Sequence, residues 1–250
     1  MKITKYNLQR FSKQIILKKI GISGQKKIFS SKVLVVGAGG LGCPLLLYLA
    51  NSGIGNIGIV DDDKIEITNL NRQILFTPKD LGNYKVSKAK KVIKTINKNI
   101  KVDVYKKKLN KINIEKIFNK YEIICDGTDN YSTRYLINDY CLENKKILIS
   151  AAINKFSGHI FNFNFKKKTP CFRCFMPSIP NEENNCETEG VISTLAGIAG
   201  TLQANEVINT IIKNTNNLEG KMIIIDSLNT NFRKVTLSKN PNCIKKCTSR

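Results

Sequence analysis

The chain has 250 residues, 42% of them hydrophobic, which is enough for a substantial core; no apolar run reaches the ~18 residues of a membrane-spanning helix. Its opening, MKITKYNLQRFSKQ, lacks the apolar stretch and small-residue cleavage site of a secretory signal, so a cytoplasmic protein with no membrane partner is expected. The net charge of +22 invites a nucleic-acid reading, but only six of the 41 basic residues are Arg, and the Lys are scattered among Asn and Ile instead of forming a binding stripe. Nucleic acid is therefore not expected as the main partner. An Arg in so Lys-biased a chain marks a place that needs geometry Lys cannot supply.

Residues 1–30 read as short helices with Leu8, Phe11, Ile15 and Ile16 on one face. A Val-rich strand over 32–36 runs into Gly37-Ala38-Gly39-Gly40-Leu41-Gly42, and an apolar helix follows to about Ser52, stopped by Gly53 as a left-handed cap. A second strand over 56–60 ends in Asp61-Asp62-Asp63. Strand, glycine-rich turn, helix and strand in that order begin a parallel, doubly wound sheet. Residues 64–84 read as a polar loop, 85–98 as a Lys-rich helix, 101–105 as a strand and 113–119 as a helix. The strand over 121–125 stops at Asp126-Gly127-Thr128-Asp129-Asn130, and a helix over 131–144 leads to a strand over 147–151.

Beyond Ala151 the alternation ends. Segments 157–165, 221–226 and 232–237 predict antiparallel strands, separated by a polar loop over 166–190 and a long helix over 192–214. There is no internal repeat and no Pro- or Gly-rich linker. The expected architecture is one α/β domain over 1–250, with a Rossmann-like, mostly parallel sheet and an antiparallel C-terminal extension. A helical arm (1–30) precedes a nucleotide-binding half (31–150) and a second half (151–250).

Gly37-x-Gly39-x-x-Gly42 sits between a strand and a helix, with Asp61 at the end of the next strand. Glycines permit the tight turn, the helix start offers N–H groups and a positive dipole end, and the acid is placed to accept from ribose hydroxyls. A nucleotide is expected here, although this pattern alone does not separate NAD from ATP.

The turn and its acids are followed by Thr68-Asn69-Leu70-Asn71-Arg72-Gln73, Lys85 and Asp126–Asn130. In this order the motifs resemble the HesA/MoeB/ThiF family, relatives of the ubiquitin-activating enzymes, and the resemblance runs from Arg10 to Cys247. It implies ATP-dependent adenylation of the C-terminal Gly carboxylate of a ubiquitin-like sulfur-carrier protein ending in Gly-Gly. Pyrophosphate is released, and the pathway is molybdenum-cofactor or thiamine biosynthesis. On this reading Arg72, Lys85 and Asp129 are catalytic. Gly40, Asp61, Thr68, Asn69, Leu70, Asn71 and Asn130 join them in binding ATP, and Asp129 holds Mg²⁺ or orients the phosphates. The chemistry agrees, because a carboxylate approaching a triphosphate needs cations crowded around it. Such a cluster speaks against an NAD-dependent oxidoreductase; that enzyme and an adenylating enzyme acting on tRNA or a peptide remain the alternatives.

The family's Arg-x-x-Arg-Gln element, whose second Arg reaches ATP across a homodimer, reads Arg10-Phe11-Ser12-Lys13-Gln14 in this chain. Lys13 keeps the charge but loses the bidentate fork. The resemblance thus implies a homodimer with Lys13 or Arg10 on the phosphates. The sulfur donor is expected to be a separate protein, since no rhodanese-like segment is present.

Eight cysteines in a cytoplasmic protein point to metal, catalysis or packing over disulfides. Cys171-x-x-Cys174 and Cys243-x-x-x-Cys247 predict a structural Cys₄ zinc site, which the family also has, although its second pair normally has one residue fewer. The carrier-binding and zinc functions thus fall to residues 151–250. Cys186, before the long helix, matches a family cysteine that takes up the activated carboxylate or sulfur covalently. A helix start would lower its pKa, whereas Glu187 and Glu189 would raise it. Cys43, Cys125 and Cys141 read as core, and the lone histidine, His159, has no expected catalytic role.

Overall fold

In the computed structural model, which describes residues 4–167, 169–179, 190–245 and 247, β1 (Lys32–Val36) lies between two parallel neighbours. These are β2 (Asn56–Val60) and β4 (Ile123–Asp126), in a register that sets Val36 opposite both Val60 and Asp126. The three strands therefore end level, at one edge of the sheet. Outside them lie β3 (Lys101–Tyr105), parallel to β2, and β5 (Ile147–Asn154), parallel to β4.

Nearly every residue of β1, β2 and β4 is buried, as expected of parallel strands covered on both faces. Because successive side chains alternate, Val33 and Val35 face one core while Leu34 and Val36 face the other. The first core is closed by α4 (Gly42–Ser52), α5 (Lys85–Ile96) and α9 (Ser193–Ile211), through Leu45, Leu49, Ile93 and Val207. The second is closed by α6 (Ile114–Phe118) and α7 (Tyr131–Glu143), through Phe118, Ile137 and Cys141.

The chain then turns antiparallel. β6 (Ser157–Asn164) pairs with β5 along its whole length, from Ile147↔Asn164 to Asn154↔Ser157. That pairing carries β5 three residues past the expected end at Ala151: once the hairpin forms, 152–154 gain ladder partners. β7 (Lys221–Asp226) and β8 (Asn231–Thr236) continue the sheet, giving the order β3-β2-β1-β4-β5-β6-β7-β8. The predicted polar loop after β6 holds a one-turn helix, α8 (Phe172–Phe175), and the loop over 64–84 holds two short 3₁₀ turns.

Two devices aim these elements at the level edge. Gly200 of α9 lies against the start of α4, where a side-chain carbon would overlap the Leu41 carbonyl oxygen. From the same helix Gln203 donates to the carbonyls of Asp126 and Ile149, 2.9 and 2.8 Å away, tying α9 to the end of β4 and to β5 beside it.

The arm comprises α1 (Lys5–Arg10), α2 (Ser12–Ile15) and α3 (Gly21–Ser30). It packs at the opposite end of α4, where Gln14 and Gln25 both donate to Ser52 O. No helix among the described residues is long and apolar enough to cross a membrane.

Candidate nucleotide site and cysteine cluster

The glycine turn leaves β1 at the level edge. Gly37 has φ +92°, which only glycine adopts freely, and a carbon on it would stand 2.8 Å from Gly127 O. The turn after β1 therefore touches the loop after β4. Gly42 is confined further, since a side chain there would overlap the carbonyl oxygen of Gly37.

Asp61, at the end of β2, accepts from Ala38 N at 2.7 Å through one oxygen and from Asp63 N at 2.8 Å through the other. Burial pushes its carboxyl above the usual range, opposed by nearby Lys85 and by those two N–H groups. The acid expected to meet ribose thus also pins the glycine turn to β2.

Arg72 is set by the 3₁₀ turn before it. Asn69 Oδ1 accepts from Glu66 N, and Arg72 Nη1 donates to Thr68 O and Asn71 Oδ1, at 2.9 and 3.1 Å. These bonds lay the Arg72 stem across Gly40, its Cγ 3.4 Å from where a Cβ on Gly40 would sit. Thr68 is exposed, and Leu70 packs against the first core. Lys85 opens α5 almost fully buried, and its Nζ meets Asp63 Oδ2 at 2.7 Å.

After β4, Thr128 folds back onto Asp126, donating to Oδ1 through both its N–H and its hydroxyl. Asn130 caps α7 by accepting from Thr133 N. Asp129 between them is exposed, with no hydrogen bond or ion pair among the described residues.

Gly40, Asp61, Asn69, Arg72 and Lys85 are thus gathered at one edge with the loop that carries Asp129 and Asn130. Arg10 and Lys13 do not join them within this chain. Arg10 donates to Ile96 O at 2.8 Å and Tyr6 Oη at 3.1 Å, at the far end of α5, and Lys13 is exposed on the arm. Cys186 lies outside the described residues.

One residue at this edge escapes motif reading. Arg134 of α7 is 4% exposed and donates through Nη2 to Thr128 O and Ala151 O, at 2.6 and 3.0 Å. Its Nε lies 3.6 Å from Asp126 Oδ2, and its guanidinium faces the ring of Phe172 in α8. A buried Arg in a chain this rich in Lys was the available signal.

Around α8, whose N-cap is Cys171, four sulfurs converge. Cys171 is 4.0 Å from Cys174 and 3.6 Å from Cys243, while Cys174 is 3.2 Å from Cys247. All four lie within 4.8 Å of one another. A tetrahedron of sulfurs about 2.3 Å from zinc has edges of about 3.8 Å, so the set fits that ion, the longer second spacing included. Arg173 holds α8 to α7 with two bonds to Asp139, of 2.8 and 2.9 Å. Burial alone would raise the Asp139 carboxyl; Arg173, Asn138 and Lys245 together hold it below its ordinary value. Cys43, Cys125 and Cys141 are sealed in the cores, and burial pushes the Cys43 thiol up to about 12. His159 packs against Phe161 and Phe175, its pKa lowered by burial.

A glycine turn backed by a strand-end acid, with the Arg72 fork and the unpaired Asp129 carboxylate at the same edge, is the candidate nucleotide site of an α/β protein of the Rossmann-like kind. Within that class the chain belongs to the ThiF family, whose model matches residues 11–245. It is 45% identical over 239 residues to a probable molybdopterin-synthase adenylyltransferase of Porphyra purpurea, covering 93% of this chain and 62% of that protein. To the adenylyltransferase and sulfurtransferase MOCS3 of Culex quinquefasciatus it is 42% identical, covering 97% of this chain and 56% of that one. A sulfur carrier protein adenylyltransferase of Thermus thermophilus is 36% identical, with 97% and 92% covered. The chain thus spans little more than half of several of its relatives. Among solved structures, E. coli MccB with ATP superposes with a TM-score of 0.80 at 25% identity, covering 97% of this chain and 75% of that one.

Proposed function

We propose that this protein adenylates the C-terminal carboxylate of a ubiquitin-like sulfur carrier, using ATP and releasing pyrophosphate. The observation that carries the reading is Arg72 lying across Gly40 at the edge where Asp61, Lys85 and the Asp129 loop also converge. The relatives named as adenylyltransferases of molybdopterin synthase and of a sulfur carrier supply the substrate class.

ATP would lie with its ribose toward Asp61 and its phosphates along the turn, where N–H groups and Arg72 offset their charge. Arg72 has donors left over from Thr68 and Asn71, and its fork suits a phosphate. Lys85 would exchange Asp63 for the triphosphate, and Asn69 and Asn130 have amide nitrogens to add. Mg²⁺ arriving with ATP would neutralise the phosphates, with the unpartnered Asp129 carboxylate as its protein-side acceptor. The carrier tail would enter along the carboxyl ends of β4 and β5, two glycines being thin enough to bring the carboxylate to the α-phosphorus.

Zinc at the four cysteines has a structural part, since all four ligand positions are filled by protein. A homodimer would bring Lys13 of one subunit to the phosphates of the other. Arg10 is the weaker candidate because it already holds the end of α5. Cys186 is the position for a covalent carrier intermediate, and sulfur would come from a separate donor protein in the cytoplasm.

The test is ATP–pyrophosphate exchange with purified ubiquitin-like carriers ending in Gly-Gly. Exchange is expected with at least one carrier and is lost on deleting its last glycine. Absence of exchange with every carrier, by protein that is folded and zinc-loaded, would sink the proposal.

A further inference from the structure

Gln73 follows Arg72 and is 3% exposed, yet its carboxamide is engaged at neither end. Its Oε1 is sealed from solvent without a donor, and its Nε2 has no acceptor among the described residues. Other buried amides with one orphaned atom are different. Asn162 donates to Glu206 and Thr210, Gln203 donates to two strand carbonyls, and Asn97 accepts from Asn99 N. Their orientation serves the fold, whereas nothing among the described residues rewards that of Gln73. An unpaired buried amide is a net cost to stability, and a leucine of similar volume would remove it.

The position of the amide indicates what would repay that cost. Nε2 faces the glycine turn, 3.7 Å from where a Cβ on Gly39 would stand. On the next residue, Gly40, lies the stem of Arg72. A neutral N–H donor beside a cation, against a turn whose missing side chains leave room for a ligand, is suited to an anionic oxygen.

Resting on the adenylyltransferase reading, we propose that Gln73 contacts the nucleotide directly, its Nε2 donating to a phosphate oxygen of ATP as the chain of phosphates passes Gly39. It acts as a second, uncharged donor beside Arg72. The amide is held in place by burial before ATP arrives, so little side-chain freedom is lost on binding.

The experiment compares wild type with Gln73→Leu, and with Gln73→Met in case the branched side chain disturbs packing. The thermal midpoint is measured without ligand, and binding of ATP, AMP and adenosine by calorimetry. The apolar variants are expected to melt at or above the wild-type temperature. They should bind ATP and AMP on the order of 10-fold more weakly, the loss of one hydrogen bond to a charged group, and adenosine as before. Gln73→Glu, which sets a like charge beside the phosphates, should weaken ATP further than either.

If wild type binds ATP and both apolar variants bind it equally well, the assignment of Gln73 is overturned and the adenylyltransferase reading stands. If both variants melt several degrees lower and bind adenosine as poorly as ATP, Gln73 is structural and the assignment again fails. If wild type itself binds no ATP, both fall together.

Discussion

Arg134 offers the sharpest test of how the strand edge is held. Replacing it with Met removes a guanidinium that is 4% exposed and leaves three groups behind. Thr128 O and Ala151 O lose this donor, and Asp126, wholly buried, loses its only cation among the described residues. Breaking a buried pair by removing one partner costs about 3–5 kcal/mol. The two orphaned carbonyls would add to that, at about 1–3 kcal/mol each if independent. They share one guanidinium with the ion pair, so the terms overlap; moreover Asp126 keeps bonds from Ser150 and Thr128. About 3–5 kcal/mol is therefore expected in total, or a fall in melting temperature of about 6–20 °C for a chain of this length. Arg134→Lys keeps the charge and one hydrogen bond and should lose about half as much. Urea titration of both variants gives the stability, and ATP–pyrophosphate exchange on the folded fraction gives the activity. The KM for ATP should rise in both, because the loop carrying Asp129 is released from β5. A shift under about 1 kcal/mol for the Met variant, or a full shift with KM unchanged, would refute the reasoning.

Other consequences can be measured on the same preparations. Gly40→Ala places a methyl 3.3 Å from Ala196 Cβ and 3.4 Å from Arg72 Cγ; the fold should lose only about 1 kcal/mol, near the low end of overpacking costs. Displacing the Arg72 stem should cost about 10–100-fold in kcat/KM, so a loss of activity no greater than the loss of folded protein would contradict the role given to Arg72. Arg72→Lys should reduce exchange by a similar factor through the lost fork, and equal activity would show that charge alone suffices. Protein purified without chelator should carry one zinc per chain by elemental analysis. Cys243→Ser should speed amide exchange in β7 and β8 far more than in the glycine turn. For Glu206, burial raises the carboxyl pKa against the opposing bonds from Asn162 and Leu218 N, so the native state holds this proton more tightly than the unfolded chain. Its contribution to stability is complete below the unfolded value of about 4.3 and is lost as pH rises through the folded one. Gln keeps the accepting oxygen without the charge, so Glu206→Gln should melt above wild type at neutral pH and match it in acid.

The parallel half was legible because its signals are local. Val-rich strands stop at glycines or acids, so reading the strand ends located the Gly37–Gly42 turn and Asp61, while Arg72, twelve residues beyond the end of β2, was found through the family resemblance. What could not be read depends on distant partners. The end of β5 at Asn154 is decided by its pairing with β6. The one-turn helix at Phe172–Phe175 exists where Arg173 can reach Asp139 and Cys171 can reach Cys243. Arg10 carries a motif signature, but its position in this chain is fixed by the carbonyl of Ile96, 86 residues away. Gln73 was passed over inside a motif already noticed, since an unpaired amide is visible only once its surroundings are known.

The cysteine cluster also has a consequence for the chain before it folds. Cys171 and Cys243 are 72 positions apart, and Cys174 and Cys247 are 73. One ion gripping both pairs would close a ring containing α9 and the β7–β8 hairpin. By the loop-entropy relation for cross-links, such a ring removes about 4 kcal/mol of freedom from the denatured chain. The ring also contains Gln203, which grips the end of β4 and the neighbouring carbonyl of Ile149 in β5. Peeling away the last two strands and loosening the nucleotide edge would then be one cooperative event, and extracting the ion would separate it into two.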